Sequence, residues 1–148
     1  MKVNDPHYRA LEKMYLSAPV NEYFKPAITI GEGCAELTTV IEPKFFHSAG
    51  AVHGAVYFKT LDDAAFFAAN SYIEDVFVLT TSFTTYITRP ISEGIMRTQG
   101  KVVNQNRSQL IAEAIAYDGN DREIARGNGI FVRSKIPLNE KINYHLEL

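Results

Sequence analysis

The stretch of sequence that decides the fold runs His47-Ser-Ala-Gly50-Ala-Val-His53-Gly54-Ala55-Val-Tyr-Phe-Lys-Thr-Leu-Asp62-Asp63-Ala-Ala-Phe-Phe-Ala-Ala-Asn70-Ser71. Most residues after the His53-Gly54 pair are apolar, which predicts a helix buried on most sides over residues 51 to about 70. Burying an ionised carboxylate without a partner costs free energy, so we expect Asp62 and Asp63 to have either a polar partner or a chemical role. A helix start offers unpaired N–H groups and the positive end of the helix dipole. A helix start with a carboxylate nearby can therefore form a site in which the N–H groups hold a carbonyl oxygen while the carbonyl carbon is attacked.

Short elements precede this helix. Asp5 followed by Pro6 is typical of a helix N-cap and a first helical position. Apolar residues at helical spacing then predict a short amphipathic helix, and a Gly31-Glu-Gly33 turn joins two runs of strand formers. The predicted elements are a helix over residues 6–17, a linker that completes the N-terminal segment 1–25, strands at 29–30 and 35–41, and a loop over 43–50.

Only strands follow the long helix, in runs rich in Val, Phe, Thr and Tyr that are separated by polar turns. The predicted strands span residues 76–88, 95–103, 110–117 and 124–133, and residues 137–148 form a tail. One long helix with a hairpin before it and strands after it predicts an α+β fold, with a curved antiparallel sheet wrapped around the helix. This is the hotdog arrangement, which we expect as a single domain over residues 1–148.

The composition excludes several classes of protein. The 148 residues carry a net charge of −2 with no basic block, which argues against nucleic-acid binding. No apolar run approaches the ~20 residues of a membrane span, and the first six residues lack the apolar core of a signal peptide. The one cysteine, Cys34, allows no disulfide within the chain. We therefore expect a cytoplasmic protein that binds neither nucleic acid nor membrane.

The stretch resembles the motif of the PaaI-like branch of the hotdog-fold thioesterases, which runs Asn-x-x-Gly-x-x-His-Gly-Gly, six further residues, Asp, and an Ala-rich segment. The positions that match it are Gly50, His53, Gly54, Asp62 and the segment 64–71. Two positions differ, because His47 replaces the Asn and Ala55 replaces the second Gly. The resemblance implies an acyl-CoA thioesterase, with coenzyme A as part of the substrate and with no metal or further cofactor.

The resemblance also implies roles for single residues. The amide of Gly54 becomes the donor to the oxyanion, and Asp62 becomes the general base or the nucleophile. His53 is a structural hydrogen-bonding residue or a general base. His47 either orients the substrate in place of the Asn or acts as a base itself. Gly50 and Ala55 border the bound substrate.

In this family the helix start comes from one subunit and the acid from its neighbour. The resemblance therefore implies a homodimer or a homotetramer.

Asp63 has an alternative explanation that Asp62 lacks. Lys59 precedes Asp63 by four residues, which is a favourable spacing for an ion pair on a helix. Asp62 points about 100° away from Asp63 around the helix axis and has no cation at this spacing. The sequence therefore favours Asp62 as the catalytic acid, while a carboxylate bonded to a partner's backbone remains the alternative.

The strand after the helix supplies further candidates. Alternation along it predicts an apolar core face and a separate hydroxyl face, and the family places a Ser or Thr there. Thr80 is the first choice for this role and Ser82 the second. The predicted core face comprises Phe77, Leu79, Phe83 and Ile87, and the other face comprises Val78, Thr80, Ser82 and Thr84. Candidates for contact with the phosphates of coenzyme A are Arg107 in the predicted 104–108 turn and Arg89, Arg133 and Lys135 near strand ends.

Two other functions stay open from the sequence. The departures at His47 and Ala55 favour a non-catalytic protein that binds acyl-CoA or lipid on the same fold. A hotdog hydratase or dehydratase is the second alternative, although the sequence shows no clear second acid-histidine motif for it.

Overall fold

The computed structural model describes residues 5–147; residues 1–4, on which the expectation about a signal peptide partly rests, and residue 148 lie outside this range. The helices are α1 (Pro6–Leu16), α2 (Asn21–Phe24) and α3 (Gly54–Asn70). The strands are β1 (Ala27–Gly31), β2 (Cys34–Val40), β3 (Val76–Ile87), β4 (Ile95–Gln105), β5 (Leu110–Tyr117) and β6 (Glu123–Pro137). Single 3-10 turns span Pro43–Phe45 and Glu140–Ile142.

The six strands form one antiparallel sheet in the order β1-β2-β4-β5-β6-β3, and α3 packs across one face of it. This arrangement confirms the predicted α+β hotdog fold with one long central helix and a short N-terminal helix. Among residues 5–147, none of the helices combines the length and the apolar character needed to cross a lipid bilayer.

Small residues let α3 lie directly on the sheet. A Cβ added to Gly100 on β4 would lie 2.4 Å from the backbone of Ala64 in α3, so the helix and the strand touch through their backbones. Three alanines of β5 face the helix and are at most 1% exposed: Ala112, Ala114 and Ala116. The close contact explains why α3 is buried along nearly its whole length, as its composition predicted.

Several predicted boundaries were wrong. The helix predicted from residue 51 begins at Gly54, because His53 holds an extended backbone and caps the helix with its own ring. The predicted linker contains α2, and β6 continues to Pro137 instead of ending at residue 133. Within the predicted tail, Tyr144 is buried at 5% exposure.

Strand β3 contains a β-bulge that changes which side chains face the helix. Thr80 pairs with Phe131 and Ser82 pairs with Ile130, so Thr81 is an additional residue without a paired position. A further register shift lies between Val76 and Val78, and Phe77 packs against Phe66 of α3. Val78 and Thr80, just before the bulge, also face the helix. The side chain of Val78 is fully buried there, and Thr80 bonds to the helix.

After the bulge, odd-numbered residues face α3. Phe83 packs edge-on against Phe58 of the helix, and Ile87 lies beside Gly54. The predicted core face was wrong at Leu79, which is 43% exposed, whereas Phe77 packs against the core as predicted. The predicted separation of hydroxyl and core faces was also wrong, because Thr80 points toward the helix.

Candidate functional site

The start of α3 is built by His53. Its Nδ1 accepts a hydrogen bond of 2.9 Å from the amide of Ala55, and its carbonyl accepts one of 3.0 Å from the amide of Val56. Gly54 is the first residue of the helix, and neither of these bonds uses its amide. Since the first N–H groups of a helix have no intrahelical acceptor, the amide of Gly54 is placed to donate to a ligand. The position of His53 fits the structural role considered for it.

The loop before the helix is closed by its own hydrogen bonds. The amide of His47 donates to the carbonyl of Ala51, and the amide of Gly50 donates to the carbonyl of His47. Gly50 has φ of +85°, a conformation that favours glycine. The Nδ1 of His47 accepts a hydrogen bond of 3.0 Å from the amide of Ala49. A neutral ring with Nδ1 as acceptor carries its proton on Nε2, so His47 presents a donor to the solvent side.

His47 and Gly54 border the same cavity, which has a volume of about 360 Å³. Its lining residues are His47, Ala51, Val52, Gly54, Tyr57, Ile87, Thr88, Arg89 and Pro90. The structure therefore brings together two of the residues that the motif singled out. Arg89 is the candidate for phosphate contact that lies nearest to them, and Tyr57 fixes it by donating a hydrogen bond of 2.8 Å to its carbonyl.

Asp62 lies further along α3 and meets Thr80 of β3. The hydroxyl of Thr80 donates a hydrogen bond of 2.9 Å to a carboxylate oxygen of Asp62. Burial raises the pKa of Asp62 to about 6; the bond from Thr80 lowers it, and the negative charge of Asp63 raises it. A carboxyl with this pKa is largely ionised at neutral pH and is more basic than an ordinary aspartate. Such a group is suited to accept a proton from water.

Asp63 is bound into a separate polar cluster. Its Oδ2 accepts hydrogen bonds from Nζ of Lys59 at 2.7 Å and from the hydroxyl of Tyr15 at 2.6 Å. Lys59 also donates to Oδ1 of Asn21 at 2.8 Å. Burial and the charge of Asp63 raise the pKa of Tyr15, so the phenol stays protonated and continues to donate. The predicted ion pair between Lys59 and Asp63 is thus present. Within residues 5–147 Asp62 forms no ion pair, although the charge of Lys59 also lowers its pKa.

Asp62 and Thr80 border a second cavity of about 630 Å³. Most of its lining is apolar and includes Met14, Val20, Phe66, Phe67, Phe77, Leu79, Ile136 and Ile142. These residues come from α1, the connection between α1 and α2, α3, β3, β6 and the C-terminal segment. The sequence analysis did not single them out for a site, because their apolar character is the same as that of ordinary core residues.

The helix start and Asp62 are separated within one chain. Asp62 follows Gly54 by eight positions, which corresponds to about 12 Å along the helix axis. Within residues 5–147, none of the cavities described is lined by both residues. A carbonyl oxygen bound at the amide of Gly54 is therefore out of reach of the carboxylate in the same chain.

Four other residues predicted for the site lie outside both the 360 Å³ and the 630 Å³ cavity. Ala55 is exposed on the first turn of α3, next to the helix start. Ser82 is exposed on β3 beyond the bulge and does not share the cavity of Thr80. Arg107 is exposed in the turn between β4 and β5 and lines neither cavity. Arg133 pairs with Asp75. Across the part of the chain that the structure describes, no three His, Cys, Asp or Glu side chains cluster as metal ligands would.

A family model described as the thioesterase superfamily matches residues 49–125, which include the helix start, the acid and the bulged strand. The chain belongs to the thioesterase superfamily. Thioester hydrolysis is the general activity that this membership supports, and the resemblance to its PaaI-like hotdog members is confirmed. A relative in Mycobacterium tuberculosis, Rv1847, whose assigned name is that of a proposed esterase, is 29% identical over 102 residues. The matched region covers 66% of this chain and 73% of that protein.

Solved structures show the same fold. A thioesterase family protein from Silicibacter pomeroyi has a TM-score of 0.75 at 27% identity, with 83% of this chain and 96% of that chain covered. The structure of Rv1847 has a TM-score of 0.75 at 25% identity, with 79% and 97% covered. The PaaI protein from the phenylacetic acid degradation operon of E. coli has a TM-score of 0.81 at 17% identity, with 89% and 96% covered.

Proposed function

We propose that this protein hydrolyses acyl-CoA thioesters to a free acid and coenzyme A. The observation that carries the proposal is the half-buried Asp62, which accepts a hydrogen bond from Thr80 at the edge of an apolar cavity and has a pKa raised to about 6. A second requirement is a donor to the oxyanion, and the amide of Gly54 provides it at the positive end of the helix dipole.

The active unit in this proposal is a homodimer in which each site takes its helix start from one subunit and its acid from the other. The separation of Gly54 and Asp62 within one chain supports such sharing. Strand β3 is an edge of the sheet, and it exposes apolar side chains together with the neighbouring Phe58. The exposed fractions are 43% for Leu79, 57% for Tyr86, 48% for Ile87 and 43% for Phe58. A second copy on this edge would cover these side chains.

The proposed reaction begins with the thioester carbonyl at the amide of Gly54 and the Nε2–H of His47. Asp62 takes a proton from water while the water oxygen adds to the carbonyl carbon. The negative charge that develops on the carbonyl oxygen is stabilised by the amide, an interaction worth about 3 kcal/mol in related oxyanion sites. The intermediate then collapses, the C–S bond breaks, and the sulfur leaves with the proton as coenzyme A thiol. In the alternative route, Asp62 attacks the carbon itself and water opens the resulting anhydride.

The first experiment incubates the protein with a panel of acyl-CoAs and a thiol reagent. We expect release of free thiol that depends on the enzyme. Binding of acyl-CoA without any release would instead support the non-catalytic binding protein, which the departures at His47 and Ala55 favour.

The second experiment tests the shared site with two inactive variants. Gly54→Pro removes the amide donor, and proline is tolerated at the first helical position after an extended residue such as His53, whose ψ is 143°. Asp62→Asn removes the base. A refolded equimolar mixture contains mixed dimers with one intact site, so about a quarter of the wild-type activity should return.

The matched control for the first of these variants is Gly54→Ala, which adds the Cβ but keeps the amide. This variant should retain most activity, because the added Cβ meets only the end of the Ile87 side chain at 3.3 Å. If the mixture stays inactive although native mass spectrometry shows exchanged subunits, the shared site is wrong.

A further inference from the structure

The 630 Å³ cavity beside Asp62 reaches well beyond the reacting groups. Thr80 and Asp62 border it at one place, while Ile136 at the end of β6 and Ile142 in the C-terminal 3-10 turn border it at another. Ile142 is partly buried and packs against the core. Its side chain therefore forms part of the cavity wall and does not project freely into solvent. The cavity volume lies in the range of pockets that bury small organic ligands, about 300–1,000 Å³.

The C-terminal segment that supplies this wall is held in place by a buried histidine. The Nε2 of His7 in α1 donates to the carbonyl of Asn70 at 2.9 Å, and its Nδ1 accepts a hydrogen bond of 2.7 Å from the hydroxyl of Tyr144. His7 is 2% exposed and Tyr144 is 5% exposed. The amide of Leu138 also donates to the carbonyl of Asp75 at 3.0 Å. These bonds fix the position of Ile142, two residues before Tyr144.

The polar groups in the cavity do not suit a charged ligand. Lys59 is already bonded to three acceptors, which are the oxygens of Asp63, Asn21 and Tyr15. Asp62 and the adjacent Asp63 repel a carboxylate. The remaining cation on the lining, Lys141, is exposed to solvent. The cavity therefore favours an apolar ligand that ends without a charge.

We propose that this cavity holds the acyl group of the substrate, that the acyl group is an uncharged hydrocarbon chain, and that Ile142 limits its length. The inference rests on the proposed thioesterase function, because the reacting carbonyl must lie next to Asp62. The acyl chain then runs from Asp62 between the phenylalanines of α3 and β3 toward the C-terminal segment. Each further methylene group that the cavity buries contributes about fourfold to kcat/KM until the wall is reached.

The test measures kcat/KM for unbranched acyl-CoAs from two to sixteen carbons with wild type, Ile142→Trp and Ile142→Ala. The larger side chain should shorten the optimal chain by at least two carbons, and kcat/KM for acetyl-CoA should fall less than kcat/KM for the longer chains. It should lower kcat/KM for longer chains by about tenfold or more. The smaller side chain should lengthen the optimum. Leu146→Trp is the matched control, because Leu146 is 55% exposed and does not line the cavity.

Succinyl-CoA tests the exclusion of charge, and its kcat/KM should lie at least tenfold below that of butyryl-CoA. The inference is wrong if both Ile142 variants keep the wild-type chain-length profile, or if succinyl-CoA is an equal substrate. It is also wrong if Ile142→Trp, unlike Leu146→Trp, dissociates the oligomer, because a second copy of the chain would then cover the cavity.

Binding measurements separate this inference from the proposed function. If wild type binds the acyl-CoAs but hydrolyses none, the proposed function fails. The dependence of Kd on chain length in the two Ile142 variants then decides whether the cavity holds the acyl group. A Kd that is the same for all chain lengths would overturn the inference.

Discussion

Thr80 and Asp62 are joined by a hydrogen bond of 2.9 Å that connects the edge strand β3 to the middle of the central helix. The hydroxyl donates, so the bond stabilises the ionised carboxylate, whereas burial opposes ionisation. Burial is the stronger of the two effects, and the pKa of Asp62 is about 6. The balance between burial and the hydrogen bond from Thr80 thus sets the basicity of Asp62, the proposed catalytic group.

Replacement of the two adjacent acids should have opposite consequences. Asp62→Asn should lower kcat/KM by about 10²–10⁴-fold, the usual loss when a general base is removed. Asp63→Asn should keep kcat/KM within about threefold, but should lower the free energy of unfolding by about 1–3 kcal/mol, because Lys59 and Tyr15 lose the charged acceptor that they share. Steady-state kinetics and thermal unfolding of both variants provide the measurements. A larger loss of kcat/KM in Asp63→Asn than in Asp62→Asn would reverse the assignment of the acid.

The pH dependence of the reaction should report the pKa of Asp62. Because the base acts when deprotonated, kcat/KM should fall below about pH 6. Thr80→Val removes the hydrogen bond that favours the ionised form, so the midpoint of the acid limb should move to higher pH. Thr81→Val on the same strand is the control and should leave the midpoint unchanged. A shift toward lower pH in Thr80→Val would contradict this account.

The raised pKa also predicts how stability changes with pH. The folded pKa of about 6 lies above the ordinary value of 3.8, so protonated Asp62 favours the folded state. This contribution is complete below about pH 4 and is lost as the pH rises through 6. Ionised Asp62 then costs on the order of 2 kcal/mol relative to a neutral side chain. Asp62→Asn should therefore be more stable than wild type at pH 8, and the difference should shrink toward pH 4.

Chemical denaturation at several pH values measures this difference, with Asp63→Asn as the comparison. Equal stability of Asp62→Asn and wild type at pH 8 would show that the carboxylate carries no penalty for burial.

His47 should act as an orienting donor. Its Nδ1 accepts from the amide of Ala49, which leaves Nε2–H as a donor like the amide of an asparagine. His47→Asn should therefore keep kcat/KM within about tenfold, whereas loss of a general base would cost about 10²–10⁴-fold. His47→Ala is the matched variant without a donor and should be clearly less active than His47→Asn. A loss beyond a hundredfold in His47→Asn, with an ionisation missing from its pH profile, would make His47 the base.

The sequence predicted the architecture because the deciding signals are local. The N-cap at Asp5, the apolar composition of α3 and the turns between strands all depend on residues close together in the chain. The ion pair of Lys59 with Asp63 was predictable for the same reason, because two residues four positions apart on a helix lie next to each other. These local signals also distinguished Asp63, which is paired with Lys59, from Asp62, whose catalytic role stays a prediction.

The features of the fold and the candidate site that the sequence did not predict depend on contacts between distant segments. The bond between His7 and Tyr144 joins residues 137 positions apart, and no local pattern marks either one. The apolar lining of the larger cavity comes from six segments, and its residues look like ordinary core residues. The start of α3 was placed three residues too early, because the ring of His53 replaces the side-chain oxygen of the usual N-caps.

The bulge at Thr81 makes the number of residues in β3 a property on which function depends. With one residue more or less, either Thr80 would turn away from Asp62 or Ile87 would turn away from Gly54. Thr81 itself lines neither cavity, so its side chain can vary while its presence cannot. Deleting Thr81 would therefore separate one part of the proposed site from the other, a defect that scanning every single substitution along the strand would never reveal.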